Sequence, residues 1–236
     1  MTWLTELYRT NLFKKFVMAF TGVMLFGFVA GHMAGNLKLY MGAYDSGPHA
    51  GEYAIDVYAE GLRELGAPIL AHGQALWIAR LGLLAAVALH IWSASQLTVS
   101  NYRARPVAYR KEDHLASTYA SRTMRWGGVI LLLFVIYHLL HLTFGAAGVH
   151  PDFHAGEVYR NVVAGFSSPL VSGFYVLAQL ALGLHLFHGL WSLFQSLGLA
   201  GPRFNAFRRQ FAAVFAVLIT AGNISFPVAV LTGLVR

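Results

Sequence analysis

The sequence predicts an all-α, polytopic membrane bundle with five transmembrane helices, and three observations predict it. Hydrophobic residues make up 57% of the 236 positions and charged residues only 11%, too little charge to coat a soluble domain of this length. Apolar runs of about 20 residues or more recur, each long enough at about 1.5 Å per residue to cross a hydrocarbon core about 30 Å thick. The charges gather between those runs, with cations and acids on alternating connections.

The first helix is placed near 13–36 and is entered at Lys14 and Lys15. It is longer than a signal-peptide core and lacks a convincing small-residue cleavage site, so it reads as a retained span. The connection that follows holds Asp45, Glu52, Asp56, Glu60 and Glu64. Within it, the stretch from Gly51 to Leu62 spaces its apolar residues as a loosely amphipathic segment, suited to lie along the interface and lid the bundle. The second helix, near 72–99, leads into a connection rich in cations: Arg103, Arg105, Arg110, Lys111, Arg122 and Arg125. The third, near 122–145, leads into one with Asp152 and Glu157. The fourth, near 169–198, is followed by Arg203, Arg208 and Arg209, and the fifth lies near 207–234, where Pro227 is expected to bend it. Residues 1–236 read as a single domain.

By the positive-inside rule the N-terminus is cytoplasmic and, after an odd number of spans, the C-terminus lies outside, in a bacterial-type inner membrane. The basic residues then sit on the inner face, where anionic lipid or a docked soluble partner would meet them; a topology signal alone is the alternative. The net charge of +7 is therefore read on loops and not as a nucleic-acid footprint. With no cysteine in the chain, disulfides, thiolate-held iron–sulfur clusters, cysteine zinc sites and covalent c-type haem are excluded. No repeat or matched pair of broken helices supports a transporter, and no Asp or Glu lies within a predicted span. The pattern favours electron transfer over ion pumping.

Of the 11 histidines, His32, His90, His138, His141, His185 and His188 lie inside predicted spans. Ionisable groups at that depth are costly in lipid, so function is the default reading. Counting from the helix ends, His90 and His188 both lie about 15 Å above the inner boundary. His32, His138 and His141 form an outer layer. Two histidines at one height on facing helices can supply both axial nitrogens of a low-spin haem, making the iron an electron carrier. The arrangement predicts two haems b stacked across the membrane. Gly27, Gly31 and Gly35 form a small-residue stripe near His32, which close approach of a ring or ordinary helix packing explains equally well. Arg80 lies about ten residues outward of His90, beside the outer layer, and Arg125 relates similarly to the inner one. Both are candidates for haem propionates, with snorkelling to headgroups the alternative.

Several fragments then stand in a telling order: His32-Met33-Ala34-Gly35-Asn36-Leu37; Arg80 with His90; Arg122-Thr123-Met124-Arg125 leading into His138-Leu139; and His185-Leu186-Phe187-His188-Gly189 followed by Ser192, Gln195 and Gly198. Over nearly its whole length the chain resembles the cytochrome b subunits of succinate dehydrogenases and fumarate reductases, of the single-polypeptide, five-span, dihaem kind. The resemblance implies His90 and His188 for the inner haem and His32 and His138 for the outer. His141, which depth alone slightly prefers as the partner of His32, remains the alternative to His138, and His185 the alternative to His188. It also implies iron–sulfur and flavoprotein partners on the cytoplasmic face, a membrane quinone such as menaquinone as electron acceptor or donor, and no succinate site on this chain. Some related fumarate reductases carry a carboxylate two residues before the fourth-helix ligand, where this chain has Leu186. Two rival readings are a haem-b subunit of a hydrogenase or formate dehydrogenase, whose catalytic partner generally sits outside, and a His-lined metal transporter.

Overall fold

The computed structural model describes residues 6–236 apart from 8, 105–118, 151 and 200, and for 119–122 the backbone alone. Arg105, Arg110, Lys111 and the side chain of Arg122 lie outside the described residues. We number the helices α1 (Asn11–Asn36), α2 (Ala54–Arg63), α3 (Gln74–Arg103), α4 (Tyr119–His138), α5 (Val158–Phe166), α6 (Pro169–Ser196) and α7 (Pro202–Leu231). Among the described residues five segments are long and apolar enough to cross a membrane: Asn11–Met41, Gln74–Arg103, Thr123–Thr143, Pro169–Ser196 and Pro202–Leu231. The expected all-α, five-span, multi-pass architecture is thus present, and the only β-type pairings among the described residues are two isolated bridges, Ala43 with Tyr53 and Tyr44 with Ala50.

Local chemistry sets the helix ends. Thr10 caps α1, its hydroxyl accepting from Phe13 N–H at 3.1 Å and donating to Leu7 C=O at 2.7 Å. A 3-10 turn, Leu37–Met41, finishes the first span, and Gly42, at φ 67°, turns the chain out of it. Pro169 and Pro202 open α6 and α7, where a missing N–H costs nothing. Pro227 is accommodated inside α7, which runs on to Leu231.

The spans pack as neighbours: α1 on α3, α4 on α6, and α6 on α7, with α1 also touching α6 and α7. The second span therefore leans chiefly on the first. Large apolar side chains such as Phe20, Leu84, Leu133, Leu177 and Val217 are exposed along all five, as a lipid-facing surface requires.

The first and third connections come together at one end, here termed the acidic end. The amphipathic segment expected in the first connection is α2; α5, in the third, was not foreseen. Asp56 of α2 accepts from Tyr159 N–H at 2.9 Å, capping the first turn of α5 from a distant part of the chain. Tyr53 and Tyr159 stack at 3.6 Å with 8° between their planes. The Tyr159 hydroxyl donates to the Arg236 carbonyl at 3.0 Å, so both connections and the last residue form one cap. The main apolar core lies just beneath it, built from Leu39, Ile55, Phe134, Phe166, Tyr175 and Phe226 among others. At the opposite, basic end, Ser100 Oγ donates to Asn11 Oδ1 at 3.1 Å, joining the start of α1 to the end of α3.

The glycine stripe of α1 divides in function. A Cβ at Gly35 would lie 2.7 Å from the Tyr58 ring, so Gly35 seats α2 on the bundle, whereas Gly27 and Gly31 meet nothing within 4 Å.

Candidate functional site

Each span histidine is carried by a long helix, and the helix pairing sets which ones meet. The rings of His32 on α1 and His138 on α4 lie 5.9 Å apart, edge to face at 84°. The rings of His90 on α3 and His185 on α6 lie 6.4 Å apart at 57°. Both pairs bridge the α1–α3 couple to the α4–α6 couple. Thr21, which reaches His90, precedes His32 by eleven positions on α1, so the two levels are separated by about 16 Å.

At the level nearer the basic end, Thr21 Oγ1 donates to Val17 C=O at 2.8 Å and lies 3.1 Å from His90 Nδ1. Because the hydroxyl proton is committed to the carbonyl, its lone pair accepts from His90 Nδ1–H. That fixes the tautomer and leaves Nε2 as the nitrogen with a free lone pair. A Cβ at Gly22 would stand 3.6 Å from His90 Cε1, an ordinary contact distance, so α1 lies directly against the ring. On α6, His185 Nδ1 is buried without a hydrogen-bond partner. His188 pairs its Nε2 with Ser192 Oγ at 3.1 Å, and its Nδ1 is likewise buried and unpartnered.

At the level nearer the acidic end, α4 gives way to a π-helical turn, Leu139–Thr143. The wider turn alters the helical register after His138, and π turns recur at functional positions. His141 is 1% exposed, enclosed by Tyr137, His150, Phe166 and Tyr175. A Cβ at Gly165 would lie 2.7 Å from its ring. By contrast His32 is exposed and His90, His138, His185 and His188 are half-buried, so none of the five is enclosed as His141 is. The Tyr175 hydroxyl reaches both His138 and His141. Beyond them His150 donates from Nε2 to Asn161 C=O at 2.9 Å.

Of the two expected propionate partners, Arg80 is exposed and stacked 5.1 Å from the Trp77 ring, while Arg125 is exposed and donates to Tyr102, over whose ring it also lies at 4.9 Å. Arg208, expected as a surface cation, is 7% exposed. Sequence reasoning missed Thr21, Tyr175 and His150 as partners of the histidines. Thr21 and Tyr175 are ordinary span residues with no motif around them, and His150 lies in a loop.

Residues 100–224, more than half of the chain, match the family of succinate dehydrogenase/fumarate reductase transmembrane subunits. The chain belongs to that family. It is accordingly a membrane-anchor subunit of the succinate dehydrogenase/fumarate reductase class, whose members work within a larger complex. No curated protein and no solved structure matches it. The matched stretch contains Arg125, His138, His141, His185 and His188. His32, Arg80 and His90 precede it, and their place in the family reading rests on the motifs quoted above and on the pairing described here.

Proposed function

We propose that this anchor subunit binds two haems b between its two helix couples and passes electrons between an iron–sulfur subunit docked at the basic end and a membrane quinone, menaquinone or a related one. The supporting observation is the pair of cross-bundle histidine contacts. Two metal–imidazole bonds of about 2 Å each would hold opposed ring centres about 6 Å apart, which the separations of 5.9 and 6.4 Å match. Among the described residues no three metal-ligating side chains converge. Histidines meeting two at a time suit axial ligation better than a metal cage.

When bound, haem would supply reversible one-electron transfer. The chain's residues do the rest. Thr21 presents His90 Nε2 towards α6, and Tyr175 orients His138. The enclosure of His141 favours His138 as the acidic-end ligand beside His32. For the basic-end partner of His90, the resemblance of the motif favours His188, while the ring contact with His90 supports His185. Arg80 and Arg125 remain candidates for the propionates only after leaving Trp77 and Tyr102. With the N-terminus cytoplasmic and the basic end inside, electrons enter from the flavoprotein and iron–sulfur subunits on the cytoplasmic face, or leave to them in a fumarate reductase. Succinate and fumarate are handled by those partners.

A reduced-minus-oxidised visible spectrum of the purified complex tests this. Two b-type components are expected, with His32→Ala or His138→Ala removing one and His90→Ala the other. His185→Ala and His188→Ala, compared side by side, identify the fourth ligand as the one whose loss removes the His90 component. Absence of b-type bands, or bands unchanged in all these variants, would overturn the proposal.

A further inference from the structure

We infer that Arg208 binds the carboxylate of a group seated in the basic-end layer, a haem propionate; this rests on the dihaem reading above. Arg208 lies about 9 Å inside α7 from its Pro202 end. It continues the buried stripe Ala212, Ala216 and Ile219 by which α7 meets its neighbours. The small side chains of that stripe bring the backbones close and enclose the guanidinium, leaving Arg208 7% exposed. Among the described residues its Nε and Nη1, both buried, have no hydrogen-bond partner, and the guanidinium lies over the Trp191 ring at 5.7 Å.

A ring face offsets only part of the cost of desolvating a cation, and guanidinium N–H groups left unpaired in the interior call for an anion. Described carboxylates do not supply one: apart from Glu6 near the N-terminus, they belong to the first and third connections at the other end of the bundle. Trp191 lies three residues beyond His188 on α6, about 4.5 Å nearer the basic end. The guanidinium therefore sits within about one helical turn of the basic-end histidines, on their basic side. A carboxylate on a short flexible arm, reaching from that layer towards the basic end, meets it there. A lipid phosphate would have to enter past the residues that enclose it.

Redox titration of the haems in the intact complex tests the assignment, using Arg208→Met, Arg208→Gln and Arg208→Lys. Removing a cation beside one iron favours its ferric form. One of the two b-type components should therefore move to lower potential in the Met variant, by about tenfold in the reduction equilibrium, equivalent to about 59 mV for one electron. The other component should stay in place. Gln should act in the same direction, which keeps the test open if Met prevents accumulation, and Lys should restore most of the wild-type potential. Both components unmoved, with haem-to-protein ratio intact, would overturn the inference. So would loss of a tightly bound anionic phospholipid without any change in potential. No b-type bands in the unsubstituted complex would instead defeat the dihaem reading, and this inference with it.

Discussion

The Tyr175 hydroxyl lies 3.0 Å from His141 Nδ1, and the same oxygen lies 3.3 Å from His138 Nδ1. A phenol has one proton, so it donates to one imidazole and accepts from the other. If His138 gives its Nε2 to iron, its Nδ1–H donates to Tyr175, and Tyr175 in turn donates to His141 Nδ1. The ligand and its neighbour are thereby held in opposite tautomers. Tyr175→Phe should destabilise the fold by about 1–3 kcal/mol through the groups it leaves unpaired. It should also broaden or shift the spectrum of one haem only. Thermal unfolding and low-temperature spectra of the variant check both.

Gly165→Ala acts on the same corner from α5. Its Cβ would meet His141 Cε1 at 2.7 Å and His150 Nε2 at 3.2 Å, and the enclosed ring has nowhere to retreat. A cost of about 1–3 kcal/mol is expected from overpacking, with the acidic-end haem affected and the other untouched. Melting temperature and haem-to-protein ratio measure the two effects.

Thr21→Val keeps the shape of the residue beside His90 and removes the acceptor for Nδ1–H. The unpaired donor should weaken the basic-end layer by about 1 kcal/mol and free the imidazole plane to rotate. Electron paramagnetic resonance of the oxidised haems should show altered anisotropy in one signal, and Thr21→Ser should restore it.

Two acids of α2 give the acidic-end cap opposed pH responses. Burial, first, raises the Asp56 carboxyl above its ordinary value of 3.8, against the lowering effect of the backbone N–H groups of Tyr159 and Val158. The folded form thus binds that proton more tightly, and the contribution of Asp56 declines as pH rises from 3.8 through its folded value. The hydrogen bond from His72, first, lowers Glu60 below 4.5, so its contribution is present above 4.5 and is lost as pH falls through its folded value. Asp56→Asn keeps an acceptor for Tyr159 N–H and should flatten the first response. Asp56→Ala should loosen the cap at every pH. Proteolysis rates of residues 43–72 and 152–166 measured between pH 3.5 and 7 distinguish them.

The spans were legible because lipid imposes a coarse rule, long apolar runs, on the sequence. The depth of the histidines was legible because a helix advances by a fixed rise per residue. Facing directions were harder to read. His188 and His185 differ by three positions, and rotamer and local partners, Ser192 among them, decide which ring turns to His90. The π turn after His138 is invisible to a count that assumes one regular helix. In the sequence Arg208 groups with Arg203 and Arg209 as one run of cations at the fourth connection; those two are exposed, and only the tertiary approach of α6 and α7 buries Arg208. At nine residues α5 is too short for its apolar spacing to announce a helix, and it forms against α2 with a cap borrowed from Asp56.

That borrowed cap has a bearing on biogenesis. Tyr53 and Asp56 follow the first span, Tyr159 the third and Arg236 the fifth. The clasp joining them closes only once the fifth span has been inserted, so the acidic end of the bundle stays open until then. Pulse-chase protease protection of the acidic-end connections, in the full chain and in one truncated after Gly198, reports when it shuts.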